Sequence, residues 1–157
     1  MLVLSRQDLP TLDRSRYGPA SGLAKGAYIL ADAPGGKPDV ILIGTGSEVS
    51  LCVEAYEKLT AEGVKARVVS MPCWELFEDQ DESYRDSVLP PSVTARVSVE
   101  QAATFGWERY VGLTGKAIGM KSFGASAPLK DLLKEFGFNT DLIVKSAKEQ
   151  IQKANKS

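Results

Sequence analysis

Apolar positions along the chain fall into two patterns, short continuous runs and longer stretches with helical spacing. The clearest run, Val-Ile-Leu-Ile at 40–43, is too short for a confident helix. Such a run is typical of a strand covered on both faces in a parallel sheet. After the Gly-Thr-Gly turn at 44–46 the apolar residues follow helical spacing, at Val49, Val53, Tyr56 and Leu59. The pattern therefore predicts a strand, a tight turn and a helix, the opening of a βαβ unit.

The ends of this helix carry residues typical of helix termini. Ser47 is a good N-cap, and Glu48 falls in the first turn, where the helix dipole favours an acid. Gly63 suits the position just after the last helical residue, because glycine adopts the left-handed conformation at low cost. We therefore predict that the helix is capped by Ser47 and ends before Gly63.

The rest of the chain alternates in the same way. Strands are predicted at 26–31, 64–70, 93–99 and 116–120, and helical segments at 74–77, 80–88, 106–110, 128–136 and from Asp141 onward. We expect Pro128 at the first helical position and Asp141 as a cap. The short turn at 34–38 predicts that the strands on either side of it run antiparallel.

This alternation predicts the fold class. About five strands interleaved with helices indicate an α/β protein. The expected architecture is an open, three-layer mixed sheet, mostly parallel with one antiparallel strand, flanked by helices. Its 157 residues suffice for one domain with its own core.

Charge and composition exclude several classes of partner. The net charge is −1, so no electrostatic attraction to nucleic acid or to an anionic membrane is expected. The longest apolar runs are far too short to cross a bilayer. The first six residues lack the basic start of a signal peptide. We predict a cytoplasmic protein that binds neither nucleic acid nor membrane.

Histidine is absent, and the only cysteines are Cys52 and Cys73. Catalysis by Ser-His-Asp or Cys-His groups is excluded, as is any histidine metal site. The two cysteines do not form a CxxC motif, so small apolar residues in a reduced protein are favoured over a redox pair. No metal ligand is predicted.

Two polar features are candidate binding sites. Thr45, Gly46 and Ser47 form a turn whose backbone N–H groups could hold an anion, although the sequence matches neither GxGxxG nor a Walker A loop. The alternative is that the glycines serve only tight packing. Arg6 carries a guanidinium that can bind a phosphate bidentately, although a lone terminal arginine is usually solvated.

Other side chains follow predicted strands at the edge where α/β sheets often bind ligands. Glu100 closes the strand at 93–99. Trp74, Phe77, Phe105 and Trp107 could line a ligand pocket, but packing, including contact with another domain or subunit, is favoured. A purely structural interaction module would expose an apolar patch around Trp74, Phe77 and Trp107.

Six segments in chain order resemble the C-terminal domain of transketolase. They are Leu-Ser-Arg-Gln at 4–7, Ile-Gly-Thr-Gly-Ser-Glu at 43–48, Ala-Arg-Val-Val-Ser-Met-Pro at 66–72, Tyr-Arg-Asp-Ser-Val-Leu-Pro at 84–90, Val-Thr-Ala-Arg at 93–96 and Phe-Gly-Ala-Ser-Ala-Pro at 123–128. The likeness spans essentially all 157 residues. The Ser-Arg-Gln and Phe-Gly-Ala-Ser-Ala-Pro segments are the most specific.

The resemblance implies a function and partners. Transketolases are homodimers that use thiamine diphosphate and a divalent cation (Mg²⁺ or Ca²⁺) to move a two-carbon ketol unit between sugar phosphates in the pentose phosphate pathway. Their cofactor lies between an N-terminal and a middle domain. This chain has no GDG…N motif, activating glutamate segment or catalytic histidine. The implied domain thus binds no cofactor, contains no catalytic residue and is inactive alone.

The resemblance also assigns one site residue and a division of the chain. Arg6 matches the family's arginine that reaches the substrate phosphate at the mouth of the active-site channel. Residues 1–22 would lead in from a preceding domain, and residues 23–157 would form the α/β domain itself. The competing hypothesis is an independent nucleotide- or anion-binding regulatory module built on Thr45, Gly46 and Ser47.

Overall fold

The computed structural model describes Leu4 and residues 7–156. The elements in chain order are β1 (Tyr28–Ala31), β2 (Val40–Gly44), α1 (Val49–Ala61), β3 (Ala66–Ser70), α2 (Trp74–Glu78), α3 (Glu82–Val88), β4 (Arg96–Ala103), α4 (Glu108–Val111), β5 (Lys116–Met120), α5 (Leu129–Glu135) and α6 (Thr140–Ala154), with 3₁₀ turns at Ala20–Lys25 and Gly46–Glu48.

The described residues form one five-stranded sheet in the order β1-β3-β2-β4-β5. β1 pairs antiparallel with β3, and the other three pairings are parallel. The predicted mixed sheet with one antiparallel strand is confirmed. β1 and β2 do run in opposite directions, but β3 lies between them. The turn at 34–38 therefore connects two strands that are not neighbours in the sheet.

Helices cover both faces of the sheet and produce two hydrophobic clusters. Leu42, Val68 and Val97 contribute to the cluster that includes side chains of α1 and α6. Ile41 and Val69 contribute to the cluster on the other face, with α2, α3 and α4. Adjacent residues of one strand therefore pack into opposite clusters, which explains why β2 is apolar at every position from Val40 to Ile43.

The predicted start of the first long helix is wrong. Gly46 has φ +56°, and the chain passes through the 3₁₀ turn before α1 begins at Val49. The residue in the N-cap position is Glu48, and no side-chain cap bond is formed there. Ser47 instead donates its hydroxyl to the Glu48 carboxylate at 2.5 Å. The end of the helix is as predicted, since Gly63 follows it with φ +82°.

Three other termini differ from the predictions. β4 continues beyond Glu100 to Ala103, after a register shift against β5. Pro128 occupies the N-cap position of α5 rather than the first helical position. α6 is capped by Asn139, whose Oδ1 accepts from the Leu142 N–H at 2.8 Å. Asp141 lies in the first turn and pairs with Lys58 of α1 at 2.8 Å.

The segment ahead of β1 is attached to the sheet and to α1. The Gly18 N–H donates to the Leu30 carbonyl at 2.7 Å, along the free edge of β1. The buried Tyr17 donates its hydroxyl to Glu57 of α1 at 2.8 Å. The chain is thus anchored ten residues before β1 begins.

The two cysteines lie in different environments. Cys52 is fully buried, whereas Cys73 is partly exposed. Burial raises the pKa of the Cys52 thiol, and the nearby Glu48 carboxylate raises it further. We therefore expect the native chain to react rapidly with one equivalent of a thiol-specific chromogenic disulfide, at Cys73. Cys52 should react only after denaturation. Two rapid equivalents in the native chain, or rapid reaction of a Cys73→Ser variant, would contradict this.

Candidate functional site

A cleft lies at the carboxyl edge of the sheet, defined as the edge where the parallel strands β2, β3 and β4 end. Its volume is about 770 Å³. β2 is followed by α1, which packs on one face of the sheet, and the neighbouring β4 is followed by α4, which packs on the other face. The cleft opens between these two strands, where the chain switches from one face to the other. Open α/β sheets bind ligands at such switch points. We call this the carboxyl-edge cleft.

The turn from Gly44 to Ser47 forms one wall of the cleft. Thr45, Gly46 and Ser47, the candidate anion-binding turn, all line it. Within the described residues, the N–H groups of Gly46 and Ser47 have no hydrogen-bond acceptor. No described residue has an atom within 4 Å of a Cβ added at Gly46. The turn thus presents donors to the cleft, but its surroundings decide which ligand they suit.

Glu48 joins the two strands that bound the cleft. Its side chain is 5% exposed; Oε1 accepts from the Ser47 hydroxyl, and Oε2 accepts from the Gln101 N–H at 3.2 Å. A residue after β2 is thereby connected to β4, 53 positions further along the chain. The pattern of the sequence marked Glu48 only as a helix-start acid, so this connection was missed.

Glu100 faces the cleft from β4 and also contacts the second hydrophobic cluster. Its Oε2 accepts from the indole Nε1–H of Trp107 at 2.8 Å. Trp107 is 2% exposed and lies edge-on to Trp74, with ring centroids 5.1 Å apart. Glu100 therefore fixes an aromatic cluster, and its second oxygen is left for other contacts.

The described lining of the carboxyl-edge cleft is acidic. It includes the carboxylates of Glu48 and Glu100 and no lysine or arginine side chain. A negative potential of this kind opposes an anion at the Gly46 and Ser47 N–H groups. Among the described residues there is also no group of three acids or cysteines placed to hold a metal ion.

Arg6, the main candidate from the sequence, lies outside the described residues. The described residues on either side of the Ser5-Arg6 pair, Leu4 and Gln7, both line the carboxyl-edge cleft. The Oε1 atom of Gln7 is buried and has no hydrogen-bond partner among the described residues. The structure thus brings Gln7 together with Thr45, Gly46 and Ser47, residues nearly 40 positions apart in the sequence.

The predicted aromatic patch around Trp74, Phe77 and Trp107 is wrong. Phe77 and Trp107 are both buried, because α2 and α4 fold back over the sheet. Large apolar side chains are exposed elsewhere on the carboxyl edge, at Leu4, Leu9, Phe105 and Phe123. Phe105 is 88% exposed. Over the residues that the structure describes, no helix is long and apolar enough to cross a membrane.

Comparison with known proteins relates this fold to one family. The model of the family described as "Transketolase-like TK C-terminal domain" matches residues 26–139. The chain belongs to this family. It is 55% identical over 148 residues to Transketolase 1 of Escherichia coli, a match covering 94% of this chain and 22% of that protein. It is 53% identical over 152 residues to Transketolase 7 of Craterostigma plantagineum, covering 95% and 22%.

Solved transketolase structures share the fold. The transketolase from Pichia stipitis in complex with sedoheptulose 7-phosphate superposes with a TM-score of 0.84 at 36% identity, over 97% of this chain and 21% of that one. The transketolase from Leishmania mexicana gives a TM-score of 0.78 at 42% identity, over 85% and 19%. The chain thus spans about a fifth of the length of the transketolases it matches.

Proposed function

We propose that this chain acts as the C-terminal domain of a transketolase, an enzyme that transfers two-carbon ketol units between sugar phosphates in the pentose phosphate pathway. The observation that supports it best is the 55% identity to Transketolase 1 of E. coli, maintained over nearly the whole chain. The relatives are transferases, and this domain corresponds to about a fifth of each. Its own contribution is substrate binding and packing.

Thiamine diphosphate and its Mg²⁺ or Ca²⁺ ion would be held outside this chain. A diphosphate with a bound cation needs hard oxygen ligands for the metal and donors for the phosphates. The described residues offer neither a metal-ligand group nor a cation in the carboxyl-edge cleft, so the residues present do not fit this cofactor. No step of the transfer is therefore assigned to a residue here.

Arg6 would bind the phosphate of the sugar substrate. Its support is the match of Ser5-Arg6-Gln7 to the family segment, together with the position of the neighbouring Gln7 in the wall of the carboxyl-edge cleft. A guanidinium holds a phosphate through two parallel hydrogen bonds. Such remote binding orients the reacting part of the sugar, because the phosphate is fixed first.

The partners would be the N-terminal and middle domains of the same enzyme and, through them, a second subunit of a homodimer. The exposed Leu4, Leu9, Phe105 and Phe123 suit this role, because apolar side chains clustered on one edge favour contact with another protein surface. In this division residues 1–22 lead in from the middle domain and residues 23–157 form the C-terminal domain. We place the enzyme in the cytoplasm.

The competing regulatory module, built on Thr45, Gly46 and Ser47, has less support. Its N–H groups face a cleft lined by two carboxylates, and the nearest described cation, the exposed Arg14, lines only an adjoining pocket. An anion there would meet repulsion from Glu48 and Glu100 that the few backbone donors would have to overcome.

A chimeric enzyme tests the proposal. The corresponding C-terminal fifth of E. coli Transketolase 1 is replaced by this chain, and ketol transfer is measured with phosphorylated and unphosphorylated donors. We expect an active chimera. Arg6→Ala should lower kcat/KM for the phosphorylated donor by a factor that corresponds to about 1.5–3 kcal/mol, the value of a hydrogen bond to a charged group. The unphosphorylated donor should be nearly unaffected.

Arg16→Ala is the matched control, since Arg16 is exposed, pairs with Glu57 of α1 at 3.3 Å and does not line the carboxyl-edge cleft. It should leave both donors unchanged. The 157-residue chain assayed alone should show no turnover. A correctly folded but inactive chimera would refute the domain assignment. An active chimera in which Arg6→Ala affects both donors equally would refute the phosphate role alone.

A further inference from the structure

A second cavity lies at the opposite edge of the sheet from the carboxyl-edge cleft, where β4 begins and where α3 and α4 end. Its volume is about 570 Å³, within the range of small-molecule sites. Phe77, Leu89 and Val111 give it an apolar wall. We call it the amino-edge cavity; its polar lining includes Glu78, Arg85, Asp86, Arg96, Arg109 and Tyr110.

Positive charge exceeds negative charge in this cavity, with three guanidinium groups against two carboxylates. Arg85 is paired with Glu78 at 3.2 Å. Arg96 is bonded differently: it donates to the backbone carbonyls of Val93, Leu89, Pro90 and Tyr110 at 2.7–3.1 Å. These bonds hold the ends of α3 and α4 but leave the charge of Arg96 without a directly bonded carboxylate in the described chain. Arg109 forms no salt bridge within the described residues either.

Tyr110 adds a buried donor beside these cations. The residue is 3% exposed, and its hydroxyl forms no hydrogen bond of good geometry among the described residues, although Glu78 and Arg109 lie close enough to affect its pKa. Burial raises the pKa of Tyr110 to about 12, the Glu78 carboxylate adds to the rise, and the Arg109 guanidinium opposes it. The hydroxyl therefore stays protonated at neutral pH. A buried donor without a partner costs free energy, which a ligand oxygen would recover.

The net charge of the two linings thus differs in sign: the described lining of the carboxyl-edge cleft is acidic, and that of the amino-edge cavity is basic. We propose that the amino-edge cavity binds a phosphate monoester carried on a small, partly apolar molecule. Arg109 and the Tyr110 hydroxyl take the phosphate oxygens, and Phe77 and Leu89 contact the apolar part. A dianion is favoured because arginine forks match its oxygens and the low-polarity wall strengthens the attraction. This site involves neither Arg6 nor the carboxyl-edge cleft.

The probe for the experiment is phenyl phosphate, which joins a dianionic phosphate to an apolar ring. The ¹⁵N-labelled 157-residue chain is titrated at constant ionic strength, and shifts of the backbone and arginine side-chain N–H signals are followed. We expect saturation with a Kd of about 1 mM, typical for a ligand of this size. The shifted signals should be those of Arg109, Tyr110 and the adjoining loop at 112–114. Benzyl alcohol, which lacks the phosphate, should cause no saturable shift there.

Two variants separate binding from folding. Arg109→Gln changes an exposed side chain and should weaken phenyl phosphate binding about tenfold or more. Tyr110→Phe removes only the hydroxyl and should weaken binding by a similar factor. Arg14→Gln removes one positive charge, as Arg109→Gln does, but at a site far from the amino-edge cavity. This variant should bind phenyl phosphate with the same affinity as the chain without substitutions. Folding of each variant is checked from its spectrum.

Three outcomes would overturn the proposal. One is the lack of saturation up to about 20 mM. The second is a set of shifts that maps to Gly44–Ser47. The third is equal affinity in Arg109→Gln and Arg14→Gln. Because the measurement uses no ketol transfer and no residue of the carboxyl-edge cleft, its failure would leave the proposed domain function standing.

Discussion

Replacing Arg67 by Met is expected to destabilise the chain by about 3–5 kcal/mol, because three backbone carbonyls lose their donor at about 1–3 kcal/mol for each one left buried and unsatisfied. The Arg67 side chain is 5% exposed and binds Asp32 bidentately, with Nε–Oδ1 at 2.7 Å and Nη2–Oδ2 at 3.1 Å. Its remaining N–H groups donate to the carbonyls of Gly36, Ser87 and Val88 at 2.8–3.1 Å. All five donors of the guanidinium are used.

The loss would be large because one side chain joins three parts of the fold. Arg67 lies in β3 and contacts the loop after β1 and the end of α3. Methionine would fill part of the volume but would leave three carbonyl oxygens without these donors. Loss of the ion pair would cost less at Asp32, because its side chain is 39% exposed and water can solvate the carboxylate. Asp32→Asn should therefore cost distinctly less than Arg67→Met.

Urea denaturation at neutral pH measures the free energy of unfolding of each variant. The matched control is Arg16→Met, because Arg16 also pairs with a carboxylate, Glu57, at 3.3 Å, but both side chains are about half exposed. It should cost about 0–1 kcal/mol. Similar losses for Arg67→Met and Arg16→Met would show that burial of the Arg67 pair contributes little to stability.

Replacing Gly26 by Ala is the second change for which we expect a large effect, a loss of about 2–5 kcal/mol. Gly26 has φ +81°, a conformation that costs an L residue about 1–2 kcal/mol. An added Cβ would also lie 2.2 Å from the Phe77 backbone N and 2.4 Å from the Cys73 carbonyl oxygen. These are backbone atoms of the segment at α2, so relief requires the chain to move, which adds about 1–3 kcal/mol.

Gly35→Ala separates the two contributions. Gly35 has nearly the same φ, +78°, but no described residue has an atom within 4 Å of an added Cβ. The Gly35→Ala variant should therefore lose only the conformational part of the stability, about 1–2 kcal/mol. Thermal and urea unfolding of both variants give the comparison. If Gly26→Ala is no less stable than Gly35→Ala, the close approach of α2 to Gly26 does not constrain the native chain.

The sequence predicted those elements whose signal is local. The run at 40–43 and the strand at 116–120 appear where expected, because burial on both faces or a turn on each side marks them directly. The order of the strands within the sheet was harder to predict from the sequence. The turn at 34–38 correctly indicated opposite directions for β1 and β2, but the insertion of β3 between them depends on a pairing of residues about 40 positions apart.

The start of the first long helix and the role of Glu48 were not predictable for the same physical reason, that the deciding contacts are not local. Ser47 has the right chemistry for an N-cap, but Gly46 is left-handed and α1 begins one residue later than this cap predicts, at Val49. Glu48 was interpreted as a helix-start acid, although its partner is the distant Gln101 N–H. The phosphate role of Arg6 came from a resemblance, since a single arginine near the chain start has no distinguishing pattern.

The anchoring of the chain before β1 has a mechanical consequence. A force applied along the segment at 7–12 is carried first by the Tyr17–Glu57 and Gly18–Leu30 hydrogen bonds. It therefore reaches α1 and the outer edge of β1 before it can strain the β1–β3 pairing. Leu12, which packs against the first hydrophobic cluster, adds to this anchoring. The wall that Gln7 and Leu9 give the carboxyl-edge cleft is therefore held by the same core that supports the walls given by β2 and β4.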